Sequence, residues 1–347
     1  MKRFWAVFVA RNIEFFRDRS TLIFNLLFPV FLILGFAYAF PAGGGTTFKV
    51  GYVGDLPALG SPAYAPFLHY KHIQLVQYAN LTSPLDRLAH NQIDMVIDLG
   101  KGEYYVNEAS SNGYILEKML APDSGGTGSA RAGPAPPGTF TKHLISGTPI
   151  RYVDWFVPGV IGINILMGSL SGVGFVIVRY RRNGVLKRFK ATPLHAFEFV
   201  SAQVLSRFFI VAFISAAIFA GTDAVLHFRM AGSWILLIAV NALAILCMIA
   251  LGLVFSSRIK SEEVAGGIMN LIMWPMMILS GVFFSLEGTP RAMQLASRLF
   301  PVTYYIESSR AIMLDGAGFA QVAGDLGVLA GMTLGLLALA AALFKWE

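Results

Sequence analysis

The side chains that could do chemistry are few in this sequence. His69 and His72 stand at a metal-ligand spacing, but no third ligand accompanies them, so solvated surface imidazoles are the expected reading and no metal site is assigned. No Gly-x-x-x-x-Gly-Lys-Ser/Thr loop occurs, which removes the phosphate cradle of a P-loop ATPase, and no His-Glu-x-x-His is present. Serines in the apolar stretches lack His and Asp companions, so an intramembrane hydrolase is not expected. Asn80-Leu81-Thr82 is a glycosylation triplet that matters only in a eukaryotic secretory setting. Within the apolar stretches Arg207 and Asp223 lie near opposite ends of the third one. Carriers driven by protons or sodium keep an ionisable group near the midplane. With no such group and no ATP site, the energy must come from a separate motor subunit.

One polar segment could do mechanical work. Residues 183–192 read Asn-Gly-Val-Leu-Lys-Arg-Phe-Lys-Ala-Thr, a short basic amphipathic run between two apolar stretches, ended by Thr192-Pro193. Leu186 and Phe189 offer an apolar contact and Lys187 and Arg188 an electrostatic one, so a partner can dock there. The alternative is that these charges only set topology.

Six apolar stretches must position these residues: 21–40, 155–178, 204–226, 234–255, 264–284 and 326–344. Each approaches the ~20 residues a helix needs to cross hydrocarbon. A backbone in lipid must satisfy its own hydrogen bonds, so six spanning helices are expected. The chain has 347 residues, 55% hydrophobic and 14% charged, where a soluble domain averages about a quarter charged. Its mean hydropathy is +0.61. The net charge of +7 comes from clusters before the first stretch (Lys2, Arg3, Arg11, Arg17, Arg19) and after the second (Arg179, Arg181, Arg182, Lys187, Arg188, Lys190). By the positive-inside rule those clusters are cytoplasmic, as are both termini, so the excess is a topology signal and not a nucleic-acid surface. Cys247, the sole cysteine, lies in the fourth stretch, which excludes disulfides and thiolate zinc from the domain after the first stretch.

Residues 1–20 read as a cytoplasmic interfacial helix rich in aromatics, and 21–40 as an uncleaved first span. The large insertion, 41–154, reads as a small α/β extracytoplasmic domain. Strands are expected at 48–53, 73–78, 93–99 and 103–108, with helices at 61–70, 83–91 and 114–120. The Gly-, Ser- and Pro-rich run 122–149 reads as a flexible linker. Residues 155–347 hold the remaining five spans, with a connecting loop at 179–199 and a re-entrant segment at 285–323. Pro275 is expected to kink the fifth span. Gly168 and Gly172, and Gly327, Gly331 and Gly335, have the spacing that lets helices pack closely, expected within the chain, with a dimer seam as the alternative.

A series of motifs runs in order along the chain. Arg182-Asn-Gly-Val-Leu-Lys-Arg-Phe-Lys-Ala-Thr-Pro-Leu-His-Ala follows Phe156-Val157-Pro158-Gly159. Then come Lys260-Ser-Glu-Glu-Val-Ala, Pro275, Leu279-Ser-Gly-Val-Phe-Phe, Pro290, Phe300-Pro301-Val302-Thr303-Tyr304-Tyr305 and Arg310. Together these resemble the permease subunits of type-2 ATP-binding-cassette (ABC) exporters over nearly the whole chain. The resemblance implies an α-helical polytopic membrane protein with six transmembrane helices. It implies a dimer with an identical or different permease, cytoplasmic ATPase subunits that carry ATP and Mg, and no cofactor or catalytic site in this chain. It places the ATPase-coupling loop at Asn183, Gly184, Leu186, Lys187, Arg188, Phe189 and Thr192. It makes Met273, Met276, Met277, Phe283 and Phe284 candidates for the substrate path, with ordinary core or lipid contact as the alternative. Polysaccharide exporters of this kind generally lack such an outer domain, so a drug, lipid or other amphiphile is the expected substrate, and a periplasmic adaptor a candidate partner. The rival functions are an ATPase-driven mechanotransmission complex acting on an extracytoplasmic partner, and an ATP-independent carrier.

Overall fold

A computed structural model describes residues 2–39, 48–54, 67, 70, 72–89, 93–107, 110–120, 140–145, 152–259, 261–283, 286 and 289–343. The chain forms two compact units, Met1–Tyr38 with Val153–Glu347, and Ala39–Tyr152.

The first unit opens with α1 (Lys2–Arg17) and α2 (Arg19–Ala39), which are bent by 61° about Asp18. Residues 2–17 are thus helical, and this helix runs beside a later one.

The second unit is a five-stranded sheet in the order β2-β1-β3-β4-β5. β1 (Phe48–Val53) pairs in parallel with β2 (Ile73–Tyr78), and, after α3 (Thr82–Ala89), with β3 (Met95–Asp98). β4 (Glu103–Asn107) turns back antiparallel to β3, and α4 (Ser111–Leu120) follows. Side chains alternate across the sheet, as a period of two requires. Val50, Met95, Ile97 and Val106 pack on Leu116 and Leu120 of α4 on one face, and Val96 packs with Leu88 of α3 on the other. The Asp98 carboxylate closes the β3–β4 turn by accepting from the N–H groups of Gly100 (2.9 Å) and Lys101 (3.1 Å).

One expectation is corrected here. The run 122–149 is not all linker, because β5 (Thr141–Ile145) adds to the sheet parallel to β4. This edge strand is held by side chains from elsewhere in the unit. Lys142 pairs with Glu117 of α4 at 2.7 Å, and the His143 ring stacks on Tyr105 with centroids 5.1 Å apart. A strand exposed along most of its length shows no apolar alternation to read. The helix expected at 61–70 and His69 lie outside the described residues, Phe67 and Tyr70 excepted. Among the described residues no group of three or more His, Cys, Asp or Glu side chains could hold a metal.

The first unit continues with α5 (Tyr152–Arg182), α6 (Val185–Lys190), α7 (Ala196–Leu226), α8 (Trp234–Ser256), α9 (Glu262–Leu279), α10 (Arg291–Ser297), α11 (Pro301–Asp315) and α12 (Phe319–Leu343). α9 starts with Ser261, whose hydroxyl accepts from the Val264 N–H, and with Glu262 and Glu263 facing the positive end of the helix dipole. α11 starts with Pro301, which has no N–H to leave unsatisfied, and stops at Gly316 with a φ of 68°. Among the described residues four helices, α5, α7, α8 and α12, are long and apolar enough to cross a membrane, and a fifth span arises if the bent α1–α2 pair counts as one. α9 has 18 residues, ~27 Å at 1.5 Å per residue, against a hydrocarbon core of about 30 Å. Pro275 sits inside α9 without ending it. The 285–323 region contributes the short α10 and the buried α11.

α5 is the central helix. Its apolar core is 72% buried, against 17% for α12. Close approach to α8 depends on Gly252, where a Cβ would lie 2.9 Å from the Leu170 carbonyl oxygen. The Gly168–Gly172 face packs inside the chain, against Val211 and Arg207 of α7. Gly327, Gly331 and Gly335 do not: a Cβ on any of them would meet nothing within 4 Å. These three glycines therefore do not make the packing within the chain that their spacing was expected to serve.

Candidate functional site

The basic segment forms a short helix of six residues with a defined entry and exit. Gly184 enters α6 at a φ of 68°, in the left-handed region that favours glycine. The N–H of Arg188 donates to the Gly184 carbonyl (3.2 Å) and that of Ala191 to Lys187 (3.2 Å), while the Thr192 hydroxyl donates to Phe189 (2.7 Å). Lys187, Arg188 and Lys190 crowd the last turn, where the helix dipole favours cations. Asn183, Lys187, Arg188 and Thr192 are exposed. Phe189 is half-buried, its ring packed on Phe199 (5.5 Å) and Tyr180 (6.5 Å).

Leu186 corrects the sequence reading. It is 0% exposed, so its side chain anchors the segment inward and presents no apolar contact to an outside partner. Leu186 and Phe189 share a face at i, i+3 spacing, and the sequence alone does not say how deeply each is buried.

Side chains the sequence reading treated only as topology charges brace this segment. Arg181 donates to the carbonyls of Ser256 (2.8 Å), Ser257 (2.8 Å) and Ile259 (2.5 Å) at the C-terminus of α8, where helix carbonyls lack partners. Arg182 pairs with Glu262 of α9 at 3.2 Å. The Tyr180 hydroxyl donates to Glu14 (2.7 Å) and accepts from Arg11 (3.1 Å), and the Arg3 guanidinium donates to the Pro193 carbonyl. α1 then runs beside α7, with Phe8 against Phe209 and Phe16 against Phe213. Away from that contact Trp5, Val9 and Ile13 stay exposed as a stripe, and Phe16 at its edge is half exposed. These contacts link the two flanks of α6 to α1, α8 and α9. Clusters of arginine near a span end look alike in sequence, and only packing tells the bracing Arg181 from the exposed Arg182.

Arg207, inside α7, is a tie between helices. Its Nε donates to the Gly168 carbonyl (2.5 Å) and its guanidinium lies 5.6 Å from the Phe15 ring. Gly172 leaves room for it, since a Cβ there would fall 1.9 Å from the guanidinium carbon.

The path candidates do not converge on one place. Met273 accepts from the Ser171 hydroxyl of α5 (3.5 Å), Met276 is buried and Met277 half-buried. Phe283 lies 6.1 Å from the ring of Phe156 and 6.4 Å from Phe36, and these two stack at 4.3 Å. Phe284 lies outside the described residues. A separate recess between α2 and α5 is lined by Phe24, Phe28, Leu32, Val160, Ile163 and Met167, and the Asn164 amide beside it donates to the Asn25 carbonyl (3.3 Å). Sequence reasoning missed this recess and also Asp325, which lies inside α12 and accepts from the Ser308 hydroxyl (3.1 Å). α12 begins earlier than the apolar run, so the acid falls within the helix.

A family profile described as "ABC-2 family transporter protein" matches residues 19–342. The chain belongs to the ABC-2 transporter family. Among curated relatives, the inner membrane transport permease YhhJ of Escherichia coli is 27% identical over 171 residues, 48% of this chain and 46% of YhhJ. The linearmycin resistance permease protein LnrN of Bacillus subtilis is 25% identical over 173 residues, 48% of this chain and 44% of LnrN. The chain spans about half the length of these relatives. As an ABC-2 permease homologue with several apolar helices, it is a membrane-embedded transporter component.

Proposed function

We propose that this ABC-2 family chain is the permease subunit of an ATP-driven exporter that moves a drug, lipid or other amphiphile outward. A separate cytoplasmic ATPase supplies the energy, and a second permease, identical or not, completes the complex. The chain crosses the inner (plasma) membrane six times, with α2 and α9 completing the set. The basic ends lie inside, residues 41–154 lie outside, and the exposed stripe of α1 rests against lipid.

The observation that carries this reading is the braced basic segment. α6 exposes Lys187 and Arg188 while Leu186 is buried, and just before it Arg181 ties the end of α5 to the end of α8. A surface so held can receive a push and pass it on; a loop that served only as a topology signal needs charge and no bracing.

The test is affinity purification of the tagged chain from its native membrane. An ATPase subunit is expected to co-purify, and Lys187→Glu with Arg188→Glu is expected to release it, most strongly at low salt where charges are least screened. The chain freed of that subunit is expected to hydrolyse no ATP. Hydrolysis by the isolated chain refutes the separate motor.

A further inference from the structure

Arg310 of α11 joins three segments through one guanidinium. Its Nε donates to the Trp155 carbonyl (3.1 Å), one terminal nitrogen to Gly281 (2.8 Å) and the other to Val282 (3.2 Å). The same guanidinium lies 3.5 Å from the centroid of the Trp155 ring. α11 is thus tied to the first turn of α5 and to the turn that leaves α9.

The held carbonyls have telling neighbours. Trp155 precedes Phe156 and Val282 precedes Phe283, and these two phenylalanines meet Phe36 of α2. Phe156 is fully buried. Two glycines make the junction possible. Gly281 has a φ of 74°, and a Cβ on Gly159 would stand 3.0 Å from the Val282 carbonyl oxygen. A planar fork of donors can serve three carbonyls and stack on an indole at once, whereas an ammonium is a point charge and cannot span them.

We propose that Arg310 is a positioning residue for transport. It holds the Phe36–Phe156–Phe283 cluster closed by fixing the backbone beside two of its three rings, and the cluster must part for an amphiphile to leave. The proposal rests on the permease reading above.

The experiment uses the permease purified with its ATPase subunit in lipid nanodiscs. Phe36→Cys with Phe283→Cys, in a Cys247→Ala background, reports cluster closure through the rate of cross-linking by a short bifunctional thiol reagent. Phe8→Cys with Phe209→Cys reports on the opposite end of the helices. Arg310→Gln is expected to slow the first cross-link at least tenfold, Arg310→Lys several-fold, and neither to slow the second. Trp155→Phe keeps the carbonyl acceptor and loses the indole, so it is expected to slow the first cross-link less than Arg310→Lys does. If Arg310→Gln fails to assemble, Arg310→Lys and Trp155→Phe carry the test. Unchanged cross-linking in both, or equal slowing at both ends, overturns the positioning role. In the cysteine reporter with Arg310 intact, ATP turnover is expected to slow the first cross-link. Turnover without that response overturns the gating role, whereas a complex with no ATP turnover counts against the exporter reading instead.

Discussion

Replacing Leu186 by Ala should loosen the basic segment from within, although the residue touches no partner. Its side chain is 0% exposed on a helix of six residues, and no other residue of that turn is buried. Buried Leu→Ala changes cost about 2–5 kcal/mol from lost burial and the cavity left behind. A six-residue helix has little intrinsic stability, so that loss falls on local opening of the segment. At ~1.4 kcal/mol per factor of ten, amide exchange should quicken roughly 30-fold to several thousand-fold. The reporters are the N–H groups of Arg188, Ala191 and Thr192, which donate to Gly184, Lys187 and Phe189. Hydrogen exchange read by mass spectrometry on the purified permease measures them. Lys187→Ala and Arg188→Ala are surface changes worth about ±0.5 kcal/mol, so they should leave these amides within about threefold of wild type. ATPase capture should show the complementary pattern, weakened by Leu186→Ala through lost order and by the charge changes with order intact. Leu186→Ala exchange within threefold of wild type would refute the internal anchor.

Two other outcomes are expected. With Cys247→Ala, an impermeant thiol reagent on intact cells should label a cysteine at the exposed Ser83 and not one at the exposed Lys187; the reverse pattern overturns the orientation. In the sheet unit, burial and then the Glu117 carboxylate push the Tyr104 phenol up to about 12, and the hydrogen bond to Glu103 followed by burial raises Tyr105 to about 12. A phenol raised in the folded state stabilises it fully below the ordinary value of 10.0, and that contribution is lost as pH rises through about 12. Ultraviolet titration compared with Tyr104→Phe and Tyr105→Phe should therefore show that these two phenols ionise late, with unfolding of the sheet unit setting in between pH 10 and 12. Two phenols titrating near 10 in the folded protein would refute both environments.

Much of this molecule is determined by composition along the chain. Long uncharged runs such as 234–255 have one outcome in lipid, a helix, because no other local structure satisfies the backbone there. Clustered arginines and the 183–192 run likewise marked the end of the bundle that carries the basic surface. Strands β1 and β2 stood where local apolar patterning put them. β5 was invisible because its partners, Glu117 and Tyr105, lie far away in sequence. Tertiary structure alone decided which of several similar residues turns inward: Leu186 and not the exposed residues beside it, Arg181 and not Arg182, Gly172 packed and Gly331 open. It also brought Arg310 to carbonyls about 30 and 155 residues away. Hydropathy reports whether a segment leaves water. Which side chain meets which carbonyl depends on how helices rotate about their axes when they pack, and no local window of sequence contains that angle.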